Sequence, residues 1–271
     1  HQHFGIIPAA SFSFIGLNMI APGPSLAGWI QCFWLTDHPG DGKQTVCEKL
    51  YPDGGTSLTF MIDENSARAD FFHHHHVCAH HWDLSINHIS VRFRPGAAKA
   101  LLGLDLHNFS NTGNLATDLT TITFQGQDDL RALLDTLPAL PRRDRFQTIQ
   151  DWLNKLSHQA TRPDQKLSGL LSHAATHLLA PQHMADLKGV SRRTLERQLQ
   201  NHLGHSPNQI HRYAQLRRAR QALINTTVPL STIALDCGYF DQAHFTNAFR
   251  EQTLETPGQY RERKLSQISN P

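Results

Sequence analysis

The chain has 271 residues and a mass of 30.5 kDa, with 39% hydrophobic and 18% charged residues, enough apolar material for packed cores and too much for wholesale disorder. It has no run of 18 apolar residues, which excludes a helical membrane span. Its four cysteines (Cys32, Cys47, Cys78, Cys237) lie far apart with no CxxC pair, which excludes a disulfide scaffold and a zinc ribbon.

His1-Gln2-His3 at the start lacks both a Met and a basic-then-apolar leader, so the sequence reads as trimmed or tagged, without a secretory signal. The first ~125 residues read as mostly β. Trp29 to Leu35 is rich in aromatic and apolar residues, as strands are. Thr56 to Ile62 follows the turn signal Pro52-Asp53-Gly54-Gly55. Ile86 to Phe93 is a third β-like run, stopped by Arg94-Pro95-Gly96, and Ala97 to Leu104 reads as a short helix. Short strands separated by turn signals predict a small barrel or sandwich. From Asp128 the period becomes helical, with Leu130, Leu133, Leu134 and Leu137 on one stripe and Phe146, Ile149, Trp152, Leu153 and Leu156 on the next. These stripes are expected to carry much of a dimer interface or, alternatively, to pack on the chain's own β domain.

A polar stretch with Pro163 reads as a linker, placing a β-rich domain with its helices in 1–157, the linker in 158–165, a helical domain in 166–265 and a tail in 266–271. The fold class is α+β. Charge divides along the same line: residues 1–163 carry 12 Lys/Arg against 15 Asp/Glu, and residues 164–271 carry 13 against 8. A basic module on an acidic body suits nucleic acid. Within it, Ser191 is expected to cap a helix reaching about His202, with Gly204 ending it. Ser206-Pro207 opens a long helix through Leu223. Ser231, Asp241 and Thr256-Pro257 start three more.

The helical part repeats itself. Met184-Ala185 ends four residues before Gly189, followed by Ser191, Leu195 and Leu199; Ile233-Ala234 ends four residues before Gly238, followed by Asp241, Phe245 and Phe249. A small Ala lets two helices approach and a Gly permits the sharp turn between them, as a helix-turn-helix requires. Two copies 49 residues apart, joined by a long helix, go beyond an ordinary helical hairpin.

On these residues 166–263 resembles the DNA-binding domain of AraC/XylS-type transcription regulators. The match runs in order from Met184-Ala185 through Ser191 to Arg197, Leu203-Gly204-His205-Ser206-Pro207, Leu216 to Leu223, Ile233-Ala234, Cys237 to Phe245, Phe249-Arg250 and Thr256 to Arg261. It departs at Leu254, where the family usually has Gly, at Gln252-Thr253, where it prefers aromatics, and at Asn247, where a basic residue is frequent. More weakly, Trp29 to Trp34, Tyr51-Pro52-Asp53-Gly54 and Val91 to Ala97 resemble a poorly characterised domain found ahead of such modules.

The resemblance implies about seven helices with two helix-turn-helix units reading adjacent major-groove segments. It places Arg193, Glu196 and Arg197 on the groove face of the first reader, and Gln242, Ala243, His244 and Asn247 on that of the second. Arg suits guanine, Glu cytosine, Gln or Asn adenine, and Ala a thymine methyl. Arg192 and Arg250 are assigned to phosphates. Arg217, Arg218 and Arg220 are read as packing and surface charge, and Leu195, Leu199, Phe245 and Phe249 as core. The implied partners are double-stranded promoter DNA and RNA polymerase, with a small-molecule effector or a homodimer for the N-terminal domain and no membrane. The expected location is the cytoplasm, on the nucleoid.

Two other classes compete. His73-His74-His75-His76, Cys78, His80, His81 and His88 put seven histidines and a thiol within 16 residues, which suits a metal-responsive regulator. Runs of His also occur as solvated loops, so no residue is assigned as a metal ligand. An enzyme would need a motif: there is no GxSxG, P-loop or dinucleotide fingerprint, and Asp70 and Asp83 make no convincing His–carboxylate set. Neither catalytic residues nor a cofactor are therefore expected.

Overall fold

A computed structural model describes residues 17–36, 45–109 and 116–269; the opening residues and the last two of the tail lie outside them. The described residues hold eight strands: β1 (Leu17–Ile20), β2 (Ile30–Thr36), β3 (Thr45–Leu50), β4 (Ser57–Ile62), β5 (Ala67–Phe72), β6 (Cys78–Asp83), β7 (Asn87–Phe93) and β8 (Ala116–Asp118). Six pair antiparallel in the order β1-β2-β7-β4-β5-β8, and β3 pairs with β6. β1 and β8 end the large sheet, so of the barrel and the sandwich anticipated, the closed barrel does not form among the described residues. The three anticipated strands are β2, β4 and β7, and β7 lies between the other two (Phe33 opposite Val91, Leu58 opposite Val91).

The anticipated short helix is α1 (Ala97–Leu102), stopped by Gly103 at φ 67°. α2 (Gln127–Thr136) and α3 (Arg142–Gln159) follow. Their stripes are buried within this one chain: Leu130, Leu133, Leu134, Leu137, Ile149, Trp152, Leu153 and Leu156 join Phe33, Leu58, Phe60, Val91 and Phe93 in one core. Phe60 meets Trp152 edge-on at 6.0 Å. Of the two alternatives for these stripes, packing on the chain's own β domain is the one seen, because the sheet's apolar face takes up both.

The N-terminal sequence markers are structural. Arg92 donates to the Asp53 carboxylate, and a Cβ on Gly55 would lie 2.0 Å from the Arg92 guanidinium. Arg94 Nε donates to Ala27 O at 2.6 Å. Buried Cys32 and Cys237 carry thiols that burial pushes up to about 12 and about 11, the opposite of an activated thiol.

Beyond 160–164 the described chain is wholly helical: α4 (Gln165–His177), α5 (Pro181–Lys188), α6 (Arg192–Leu203), α7 (Pro207–Asn225), α8 (Leu230–Asp236), α9 (Gln242–Thr253) and α10 (Pro257–Ser269). These are the seven helices anticipated. α8 starts one residue before Ser231, with Pro229 at its cap, because the fixed φ of proline presets a first turn without a side-chain cap. The helices enclose two cores, one around Met184, Ala185, Leu195 and Leu199, the other around Ala234, Phe245, Phe249 and Tyr260. None of the described helices is long and apolar enough to cross a membrane.

Candidate nucleic-acid interface

The two repeats fold alike, bond for bond. Ala185 and Ala234 are fully buried where the paired helices touch. At each turn the chain reverses through a glycine, Gly189 at φ 70° and Gly238 at φ 78°, a backbone region that L side chains avoid. Val190 N donates to Ala185 O at 3.0 Å, and Tyr239 N to Ala234 O at 2.9 Å. The next helix starts on a side-chain cap: Ser191 Oγ accepts from Thr194 N at 3.1 Å, and Asp241 Oδ1 from His244 N at 2.7 Å. Each unit then closes with a reciprocal cap on the following helix, Ser206 with Gln209 and Thr256 with Gln259. That last correspondence extends the repeat beyond what the apolar spacing alone reveals.

α6 and α9 bury Leu195, Leu199, Phe245 and Phe249 completely. Their opposite faces carry the anticipated readers. Arg192, Arg193, Glu196 and Arg197 are exposed on α6, and Gln242, Ala243, His244, Asn247 and Arg250 on α9. His244 also helps to hold its own turn, its Nδ1 accepting from Phe240 N at 3.2 Å. Between the units α7 has 19 residues, about 28 Å at 1.5 Å per residue. On it Arg218 is exposed, whereas Arg220 is buried over the Tyr51 ring at 3.5 Å and donates to Tyr260 Oη at 3.1 Å.

The departures from the family pattern have a physical reading. Thr253 is fully buried, its hydroxyl bonded to Phe249 O at 2.8 Å within the turn. Gln252 turns back to Ala248 O at 3.3 Å. Leu254 ends α9 at φ 64° and is 72% exposed, the left-handed position that Gly204 fills in the first unit at φ 69°.

The N-terminal domain grips both units at the C-terminal ends of α6 and α9, through contacts that local pattern could not reveal. At the first, Lys99 Nζ donates to Asn201 O at 2.7 Å, and His73 packs on Gly204 and His205. At the second, Lys49 bonds Thr253 O at 3.0 Å and pairs with Glu255, while Arg263 bonds Glu255 at 3.1 Å and Tyr51 Oη at 3.0 Å. Burial pushes the Glu255 carboxyl up, but the bonds from Lys49 and Arg263 outweigh it and hold the group below the ordinary value. The N-terminal halves of α6 and α9, where helix-turn-helix proteins contact bases, stay uncovered.

Residues 184–263 match the family model described as a helix-turn-helix domain, and residues 18–114 match a domain of unknown function, DUF6597. The chain is 26% identical over 178 residues to the HTH-type transcriptional regulator GbdR of Pseudomonas aeruginosa, covering 64% of this chain and 48% of that one. It is 26% identical over 238 residues to the HTH-type transcriptional activator RhaS of Klebsiella pneumoniae, covering 82% of each. Among solved structures, an AraC-type regulator from Chromobacterium violaceum is 32% identical with a TM-score of 0.35, covering 37% of this chain and 92% of that one. The chain spans about half the length, or less, of the first curated relatives it matches. The chain thus carries a helix-turn-helix domain behind a DUF6597 domain and is similar to HTH-type transcriptional regulators.

Proposed function

We propose that this protein regulates transcription by binding promoter DNA sequence-specifically through both helix-turn-helix units. The observation that carries the reading is the pair of equivalent helices whose polar faces remain exposed in the whole folded chain. In this reading Arg193 and Arg197 bond guanine edges, Glu196 accepts from cytosine, Gln242 and Asn247 pair with adenine, Ala243 touches a thymine methyl and His244 reaches a base edge. Arg192 and Arg250 neutralise phosphates. The α7 spacer, with a reader beyond each end, matches roughly the 34 Å repeat of the duplex, so the two units take successive major-groove segments on one face.

The N-terminal domain is the input side, and its two grips on the reader turns are the route by which an effector would reach them. RNA polymerase is the further partner. With the stripes of α2 and α3 spent inside the chain, sensing is favoured over pairing of two copies through those helices. Methylation interference on a selected site tests the DNA reading: two protected major-groove segments one turn apart are expected, and a footprint whose base preference survives loss of both Arg193 and Arg197 overturns it. Sedimentation of the full chain over a wide concentration range tests the pairing.

A further inference from the structure

The histidine run does more than line a loop. His73 and His75 follow β5, and they meet His205, which lies between the end of α6 and the start of α7. Ring centroids are 4.2 Å apart for His75 and His205, 4.9 Å for His73 and His205, and 5.5 Å for His73 and His75. One ring nitrogen from each lies within 4.8 Å of the other two. We propose that His73, His75 and His205 form a site for a late first-row divalent cation, zinc in the first instance, that ties the N-terminal domain to the turn behind α6.

Four observations support the site. First, the rings are buried with nitrogens unpaired: His205 is 0% and His73 3% exposed, and neither nitrogen of His73, nor Nε2 of His75 or of His205, has a hydrogen-bond partner. Buried polar atoms normally find partners, and a ring lone pair directed at a cation would provide one. Second, the backbone makes room. A Cβ on Gly204 would lie 2.8 Å from His73 Nε2, so glycine at this position both ends α6 and admits the ring. Third, His205 has an outer partner: its Nδ1 lies 3.3 Å from Tyr213 Oη. An Nδ1–H donated to that oxygen fixes the tautomer that leaves Nε2 as ligand, the usual arrangement around metal-bound imidazole. Fourth, the site is walled by Phe71 and Phe109 beside His73.

The donor set selects the ion. Imidazole nitrogens suit zinc, copper or nickel, while magnesium and calcium want oxygen. Zinc–nitrogen bonds of about 2.0–2.1 Å in a tetrahedron put ligand atoms about 3.3 Å apart, so the rings close in by no more than about 1.5 Å. His75, the half-buried member, has the room to move. Its Nδ1 accepts a 3.2 Å bond from Gln209 Nε2, which it gives up if that nitrogen turns to the metal. Three imidazoles leave a fourth position for water or a small anion. This inference does not depend on which bases are read: the site is defined by the fold, and its test uses no DNA.

The test takes the full chain after chelation and dialysis and titrates it with Co2+, read by its ligand-field spectrum, and with Zn2+, read by competition with a chromogenic chelator. One equivalent with the intensity of a tetrahedral ion is expected, together with a rise in the thermal midpoint on adding Zn2+. His205→Gln and His75→Ala should each weaken binding by at least about tenfold and abolish the thermal shift. A control lacking the exposed His76 and His81 (both to Ala) should bind as the parent does. His75 is only half-buried, so its variant serves if His205→Gln does not fold. Absence of saturable binding, binding that survives His75→Ala, or binding that disappears with His76 and His81 would each overturn the site.

Discussion

The two helix-turn-helix units share a scaffold and differ in what it carries. In each, a buried Ala, a left-handed Gly, a capped second helix and a reciprocally capped third recur in order. The residues proposed as readers on α6 are three arginines and a glutamate; of the five proposed on α9, only Arg250 is a permanent cation. The grips differ too. The first unit is held through a backbone carbonyl and a histidine cluster, the second through a buried carboxylate between two cations. The scaffold positions a helix, and the chemistry of each reader and of its grip varies independently of it. In the proposed function the first unit thus supplies more of the charge-driven affinity, and the second reads mainly through neutral hydrogen bonds and an apolar contact.

The largest expected effect comes from the first reader. Arg197→Ala should cost about 1–3 kcal/mol at one defined base pair, as loss of a bidentate contact does. Removing Arg193 as well should erase that half of the site's base preference. Gln242→Ala and Asn247→Ala should relax preference in the other half without changing the salt slope, whereas Arg250→Ala should weaken all sequences alike and lower that slope by about one. Affinities over a series of salt concentrations and single-base variants give both readouts. Equal salt slopes for the two readers' variants would break the division between a charged and a neutral unit.

The second grip comes next. Glu255 is buried and takes bonds from Lys49 and Arg263, whose side chains are 29% and 31% exposed. Glu255→Ala should cost about 1–3 kcal/mol, in the range for hydrogen bonds to charged groups, and should loosen the second unit while leaving the first in place. Because the folded state holds this carboxyl below its ordinary value of 4.5, its contribution is present above that value and fades as pH falls through the folded one. Glu255→Gln should remove that part of the acid sensitivity. Hydrogen exchange on α9 and α10 against α6, at neutral and acid pH, would show the difference; a uniform change in both units would mean that the grips do not act separately.

The C-terminal units were legible because their signals are local. A small residue, a glycine and a cap lie within eight positions, and each acts on its own turn of backbone. Strands β2, β4 and β7 were legible from aromatic and β-branched runs. Their order was not, since pairing depends on residues as far apart as Phe33 and Val91. The exposure of the residues proposed as readers follows from the buried stripe on the opposite face, while their role in base reading rests on the family resemblance. The grips could not: Tyr51 reads as part of a turn motif, yet it lies in the core of the second unit beside Arg220 and Tyr260. Likewise α2 and α3 announced apolar stripes, but the surface that covers them is a sheet that begins more than 100 residues earlier in the chain.

The smallest effect isolates the scaffold from its cargo. Gly204 and Leu254 occupy the same left-handed stop, at φ 69° and φ 64°, and each closes a bond to the residue four back, at 2.9 Å and 2.8 Å. A non-glycine residue there costs roughly 1–2 kcal/mol, and replacing it with glycine returns about 0.4–1 kcal/mol of that by loosening the unfolded chain. Leu254 is 72% exposed and so gives up little burial on truncation. Leu254→Gly should therefore stabilise the protein by about 0.5–1 kcal/mol. The reciprocal change is not its mirror image. Gly204→Ala meets the same backbone cost and also places its Cβ 2.8 Å from His73 Nε2 and 3.5 Å from Leu106 Cβ, so it should destabilise by about 1–3 kcal/mol. Urea midpoints at unchanged slope measure both. If Gly204→Ala costs no more than the backbone term alone, the first grip does not bear on Gly204, and the two units differ only in their readers.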